Sequence, residues 1–202
     1  MISQTNTAHL DLGCGSAPRN PFRATALFGV DIRAADVAMN SGRFTYKQAD
    51  IALAALPFPD SFFDSISAFD VLEHIPRQLL NADGAIRLPF VELMNEIHRT
   101  LKPGGIFLAL TPAFPSATAF TDPTHVNIIT AGTHSYFTGP APTARMYGFN
   151  GQFTVRRAHR DAPKNVYRQD TPVWRKQVRR FQHMLRHGHC SHMVWELVCV
   201  KS

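Results

Sequence analysis

Cysteine is scarce: Cys14, Cys190 and Cys199 are the only three in 202 residues. An odd count at wide spacing is not a disulfide framework and predicts a chain kept in a reducing compartment, the cytoplasm. Long apolar runs are missing too. The run after the Gly104–Gly105 pair, Ile106–Leu110, is five residues long, against about twenty for a membrane-spanning helix. The segment Met1–His9 has neither a basic start nor an apolar core, so no export signal is expected. No internal repeat or low-complexity tract stands out. Acidic residues are depleted in one stretch: residues 151–190 hold ten Lys and Arg against two Asp, a local charge of +8. With +6 over the whole chain, the remainder stands at −2. A slightly acidic body with a basic C-terminal quarter predicts an anionic partner or surface.

What is present suits one folded domain over residues 1–202, at 45% hydrophobic and 18% charged residues. Short apolar runs end at turn residues and predict strands at 8–12, 27–30, 45–49, 62–69 and 106–110. Between the last two, Phe90, Leu93, Met94, Ile97 and Leu101 recur at helical spacing and form one apolar stripe, stopped by Lys102-Pro-Gly-Gly105. Strands alternating with helices predict an α/β fold, a doubly wound parallel sheet with helices on both faces. Ligands of such sheets bind at the carboxyl ends of the strands. There the sequence sets Asp11 with the Gly13-Cys14-Gly15 turn, then Asp31, Asp50 and Phe69-Asp70. A glycine turn lets backbone approach a ligand closely, and an acidic residue ending the second strand suits a ribose diol.

Two nucleoside ligands compete, a nicotinamide-type dinucleotide and S-adenosylmethionine. Pro18 stands where the dinucleotide pattern wants its third glycine. Pro18 and Pro21 also leave little helix to face a pyrophosphate, and Asp50 suits an exocyclic amine better than a phosphate. S-adenosylmethionine is favoured.

The motifs resemble those of class I S-adenosylmethionine-dependent methyltransferases, in the small-molecule, methyltransferase type 11-like branch. His9-Leu-Asp-Leu-Gly-Cys-Gly15 is similar to their first motif, Gly29-Val-Asp-Ile32 to the second and Gln48-Ala-Asp-Ile51 to the third. Residues 57–75 resemble the fourth strand and its exit, and residues 96–107 the next helix and strand. Asp122-Pro-Thr-His-Val-Asn127 and Tyr147-Gly-Phe149 resemble later segments of that branch. The resemblance implies a Rossmann-like seven-stranded sheet, with a sixth strand at 153–158 and an antiparallel last strand at 193–200. It implies that Asp11, Gly13, Cys14 and Gly15 cradle the methionine end of the cofactor. It further implies Asp31 on the ribose, Ile32, Asp50 and Ile51 at the adenine, and Phe69 beside the cofactor. Ala17 departs from a glycine common in the family. Arg19 in the neighbouring turn is a candidate partner for the cofactor carboxylate.

Methyl transfer needs alignment, and a base where the acceptor must lose a proton. His74 and His125 are the candidates, with Asp122 and Asn127 behind them. The exit of strand four lacks an Asn-Pro-Pro-Tyr-type motif, and no Pro-Cys dipeptide exists, which argues against base-nitrogen and cytosine-carbon methylation. The expected acceptor is a small, saccharide-related or anionic molecule, methylated on oxygen or nitrogen. Alternatives are an RNA or protein methyltransferase recruited by the basic region, and a module that binds cofactor without turnover. Trp174, Val178, Phe181 and Leu185 form an apolar stripe on a basic helix over about 172–188. That helix is expected to pack on the body by its stripe with a solvated charged face. An anionic acceptor, an acidic membrane surface contacted peripherally, and nucleic acid are its functional readings, with nucleic acid least favoured. His187-Gly-His-Cys-Ser-His192 has partial metal-ligand spacing. It is not read as a metal site, and no metal is expected.

Overall fold

A computed structural model describes residues 6–34, 44–168 and 170–201. Most of the Met1–His9 segment, residues 1–5, lies outside them. The main sheet has seven strands: β1 (Ala8–Leu12), β2 (Ala26–Asp31), β3 (Thr45–Gln48), β4 (Phe63–Phe69), β5 (Leu101–Pro112), β6 (Phe153–Asp161) and β7 (His192–Cys199). Their order is β3-β2-β1-β4-β5-β7-β6. The pairs from β3 through β5 are parallel, and β7 runs antiparallel to both its neighbours. The expected sheet and its reversed last strand are therefore present. Among the described residues no helix crosses a membrane's thickness as an apolar span.

Period-2 patterning divides each strand between two layers. Leu10 and Leu12 of β1, Ile66 and Ala68 of β4, Phe107 and Ala109 of β5, and Trp195 and Leu197 of β7 join one large core. Helix α1 (Pro89–Thr100) closes it with Phe90, Leu93, Met94 and Ile97, all buried as the stripe predicts. Each such side chain contributes about 1.5–3 kcal/mol by leaving water. Pro89 opens α1 where a missing N–H costs nothing, and Leu101 ends it by turning extended into β5.

The expectation of helices on both faces needs correction. The described residues between β1 and β2 form turns, because Pro18 and Pro21 interrupt any helical run. The second face is covered instead by Phe22 from that loop and Val166 from the short helix α2 (Pro163–Tyr167), against Phe69, Leu108, Leu110 and Val194. Elsewhere that face is polar. His9 and Asp11 of β1 and Ser65 and Ser67 of β4 are buried under the loop.

A second correction concerns the basic helix, α3 (Val173–His187), which has the expected extent and stops at Gly188 in left-handed conformation. Its orientation is the reverse of the expected one. No residue of α3 is buried, and Trp174, Phe181 and Leu185 are 61%, 63% and 71% exposed. The cationic side leans on the body. Arg180 forms an ion pair with Asp161 at 2.6 Å, and Arg179 donates to Asn165 Oδ1 at 3.4 Å. The cause is the surface beneath: Asp161 and Asn165 are buried polar groups that need donors. They do not form an apolar groove for the stripe.

Candidate active site

The parallel strands bring four carboxyl ends to one rim. β1 ends in the turn at Gly13, whose φ is +62°. A Cβ there would lie 2.4 Å from Val71 Cγ2, so glycine is required twice over, by conformation and by contact. Gly13, Asp31, Ile32, Asp50, Ile51, Val71 and His74 are among the residues lining an open cavity of about 490 Å³. Asp31, Ile32, Asp50 and Ile51, four candidates beyond the glycine, are thus brought together at one cavity.

Asp31 is 7% exposed. It accepts from the Gly15 amide at 2.8 Å, and from Arg33 through the backbone amide and Nε, both at 3.1 Å. These donors outweigh burial and hold its carboxyl below the usual range. The Arg33 guanidinium, on a largely exposed side chain, covers the Asp31 carboxylate. Gly15 does its part through its amide, and a Cβ on it would lie 2.8 Å from Arg33 Nη2.

Four candidates are placed otherwise. Asp11 is fully buried, with both carboxylate oxygens engaged inside the protein. Its Oδ1 accepts from the Ser67 hydroxyl at 2.6 Å and its Oδ2 from the Arg19 amide at 2.8 Å, so it fastens the loop that bears Arg19. Burial pushes its pKa up to about 6. The Ser67 hydroxyl has one hydrogen, given to Asp11. His9 Nε2–H must therefore donate to Ser67 at 2.9 Å, and Nδ1 accepts from Ser65 at 2.8 Å. Burial lowers the His9 pKa to about 4. Cys14 is buried behind the turn, where a Cβ on Gly29 would meet its sulfur at 2.6 Å. Phe69 and Arg19 line a second cavity of about 680 Å³ with Tyr167, Arg168, Arg175 and Arg179. There the Arg19 guanidinium lies 4.9 Å from the Phe69 ring centre and 5.3 Å from that of Tyr167. The two cavities adjoin at Phe69–Asp70, and the Tyr167 hydroxyl donates to Asp70. Asp70 itself has φ +55°, a strained exit from β4.

The candidate acid–base residues do meet. Leu72–His74 form one turn of tight helix directly after β4. The loop at 122–127 is pinned to that turn, since the Val126 and Asn127 amides both donate to the Glu73 carbonyl at 2.9 Å. Asn127, buried, also donates to the Leu72 carbonyl at 3.2 Å and accepts from Arg77, which makes it a brace. The His74 and His125 rings stand 4.8 Å apart, edge to face. His74 Nδ1 lies 3.0 Å from Thr124 Oγ1, whose own hydrogen goes to Asp122 Oδ1 at 2.7 Å. His125 Nδ1 faces the Ala119 carbonyl at 3.3 Å and its Nε2 faces Asp122 Oδ2 at 3.9 Å.

Sequence reasoning missed Glu73. It is 1% exposed, and burial raises its pKa to about 7. Its signal was an ionisable residue inside Leu72-Glu-His-Ile75, next to a candidate histidine. Arg33 was also missed, two residues after Asp31. The His187–His192 run does not converge: His192 pairs with Ser191 at 2.8 Å and faces Asp70 at 3.4 Å.

Comparison with known proteins gives a family and a fold. Residues 10–109 match the family model described as a methyltransferase domain. A protein of Mycolicibacterium smegmatis named "Probable S-adenosylmethionine-dependent methyltransferase" is 34% identical over 109 residues. The match takes in 51% of this chain and 37% of that one, so the chain spans little more than a third of the curated relative. Two solved structures share the fold. One is a chain of the complex between the Haloferax volcanii Trm112 methyltransferase activator and a methyltransferase, at 16% identity and TM-score 0.59, covering 100% of this chain and 86% of that one. The other is an S-adenosylmethionine-dependent methyltransferase of Mesorhizobium loti, at 14% identity and TM-score 0.54, covering 95% and 90%.

Proposed function

Because the chain belongs to the class I S-adenosylmethionine-dependent methyltransferases, we propose that it methylates an oxygen or nitrogen of a small, anionic or saccharide-related acceptor. One observation carries the reading: the cavity that gathers Gly13, Asp31, Asp50 and Ile51 has His74 on its wall, in ring contact with His125. The residues fit the cofactor. Gly13 leaves backbone bare where a Cβ would clash, Asp31 offers two acceptor oxygens to a ribose once Arg33 swings away, and Ile32 and Ile51 offer apolar surface to an adenine. S-adenosylmethionine, when bound, supplies an electrophilic methyl on a sulfonium. The protein's share is alignment, for which well-oriented reactants gain about 7–11 kcal/mol, together with removal of the acceptor proton. His74 and His125, with Asp122 behind them, form the group suited to that removal. The neighbouring cavity supports an anionic acceptor: Arg19, Arg168, Arg175 and Arg179 line it, and none has a carboxylate partner among the described residues.

The test is a turnover assay over small hydroxyl and amine acceptors, each offered neutral and phosphorylated. S-adenosylhomocysteine formation that requires an acceptor and prefers the anionic member of a pair supports the reading. Cofactor binding without turnover on any acceptor returns the chain to a binding module.

A further inference from the structure

His74, on the wall of the rim cavity, and Glu73 and His125 behind it share an arrangement that proton transfer alone does not require. Each uses one polar atom to hold itself in place and leaves another without a hydrogen bond among the described residues. His74 Nδ1 is engaged by Thr124, through Oγ1 at 3.0 Å and the carbonyl at 3.3 Å. The Thr124 hydroxyl hydrogen is committed to Asp122, so His74 Nδ1 carries the proton and Nε2 keeps a lone pair. His125 Nδ1 faces only a carbonyl, that of Ala119. It therefore donates, and its Nε2 is the basic atom as well. Glu73 Oε2 accepts from Thr111 Oγ1 at 2.9 Å, while Oε1 is buried with no partner among the described residues. One ligand-capable atom from each of Glu73, His74 and His125 lies within 4.8 Å of the others.

We infer that Glu73, His74 and His125 form a binding site for one divalent transition-metal cation, with open positions facing the acceptor. Two imidazoles and one carboxylate are borderline donors, which suit zinc, manganese or iron(II) better than magnesium or calcium. Imidazoles oriented through Nδ1 by a carbonyl or hydroxyl are the usual outer support of metal-bound histidine. A buried carboxylate oxygen without a donor costs free energy, and a cation would relieve it. Bonds of about 2.0–2.2 Å require the three atoms, now within 4.8 Å of one another, to draw closer around the ion. Asp122, near His125, would steady the cation's charge from outside. The inference rests on the proposed methyl transfer only for its purpose: with the cation bound, His74 and His125 act as its ligands instead of as the base, and a hydroxyl bound to the cation loses its proton more easily, to solvent. The cation undergoes no redox change.

The experiment uses the full chain stripped with chelator and titrated with Zn2+ by calorimetry, with Co2+ as a spectroscopic probe. One ion per chain and a ligand-field spectrum of a nitrogen–oxygen site are expected. Glu73→Gln and His125→Ala should each weaken Zn2+ by about 100-fold or more, and Thr111→Val, which loosens Glu73, by about 10–100-fold. His189→Ala, away from the cluster, should leave the affinity unchanged. Folding of each variant is checked by circular dichroism, and Glu73→Gln, which keeps shape, decides if His125→Ala fails to fold. No binding by the wild-type chain, or binding that survives Glu73→Gln but falls with His189→Ala, overturns the inference. Turnover measured alongside separates the two readings. Metal bound without S-adenosylhomocysteine formation would defeat the methyl-transfer reading alone. Turnover indifferent to chelation, with no Zn2+ bound, would defeat the metal site alone.

Discussion

Asp11 lies inside β1 opposite Gly29, whereas Asp31 ends β2 two residues further along, and the two do different work. Asp31 is at the cavity with polar donors around it, whereas both oxygens of Asp11 are spent inside the protein. Asp31→Ala should therefore weaken S-adenosylmethionine binding by about 1.5–3 kcal/mol, the worth of a charged hydrogen-bonding group. Calorimetry showing unchanged affinity would remove Asp31 from the cofactor. Asp11 and His9 should appear in stability instead. The Asp11 pKa is raised to about 6, so its favourable contribution is full below the unfolded value near 4 and fades as pH rises through 6. The His9 pKa is lowered to about 4, so its contribution is full above the unfolded value of about 6.5 and fades as pH falls through 4. The two slopes oppose each other in one window. Asp11→Asn should leave a chain that loses up to about 3 kcal/mol between pH 6.5 and 4, read from denaturant melts at stepped pH. A flat profile in that variant would show that His9 does not stay neutral in the fold. At Gly13, substitution by alanine meets both a positive φ and Val71, so a loss of about 1–3 kcal/mol is expected from the same melts. A stability equal to wild type would mean the turn is free to move.

At the scale of elements, legibility followed periodicity. The strands at 8–12 and 63–69 and helix α1 lie within a residue or two of their expected bounds, because their apolar spacing matches the layer they face. β5 runs longer than expected, Leu101–Pro112 rather than 106–110, because Leu101 already pairs with Phe63 and an irregular stretch holding Gly104 at φ +75° takes up the proline and glycines before pairing resumes at Ile106. What the spacing could not give was direction. The stripe of α3 has perfect helical spacing, and that spacing is the same whether the stripe faces inward or outward. Its orientation was decided by Asp161 on β6 and Asn165 on α2, polar groups that lie just before the helix in sequence but outside its own periodicity. The consequence is measurable. Phe181→Ser on α3 should change stability by less than about 0.5 kcal/mol, whereas Phe153→Ala in the core should cost about 3–5 kcal/mol. A large loss at Phe181 would put the stripe back against the body.

Over the whole molecule, topology does what no single motif does. Parallel pairing of β1 to β4 carries residues 13, 31, 50 and 70 to one rim, though they are spread over more than fifty positions of sequence. The resemblance of residues 8–111 made that rim legible, and the family match over 10–109 covers the same stretch. The acceptor side was less legible, because Glu73, Tyr167 and the arginines at 168, 175 and 179 meet the rim only through tertiary packing. The basic quarter did point to an anionic neighbour, but its arginines reach the second cavity only because α3 turns its charged side inward. The central claim, an adenosyl sulfonium held by Asp31 at the first strands' tips, is tested most directly by titrating the purified chain with S-adenosylmethionine and, separately, with NAD+. One S-adenosylmethionine per chain, lost in Asp31→Ala, with no NAD+ taken up, is the predicted result. Uptake of NAD+ alone, or S-adenosylmethionine binding indifferent to Asp31, would contradict it.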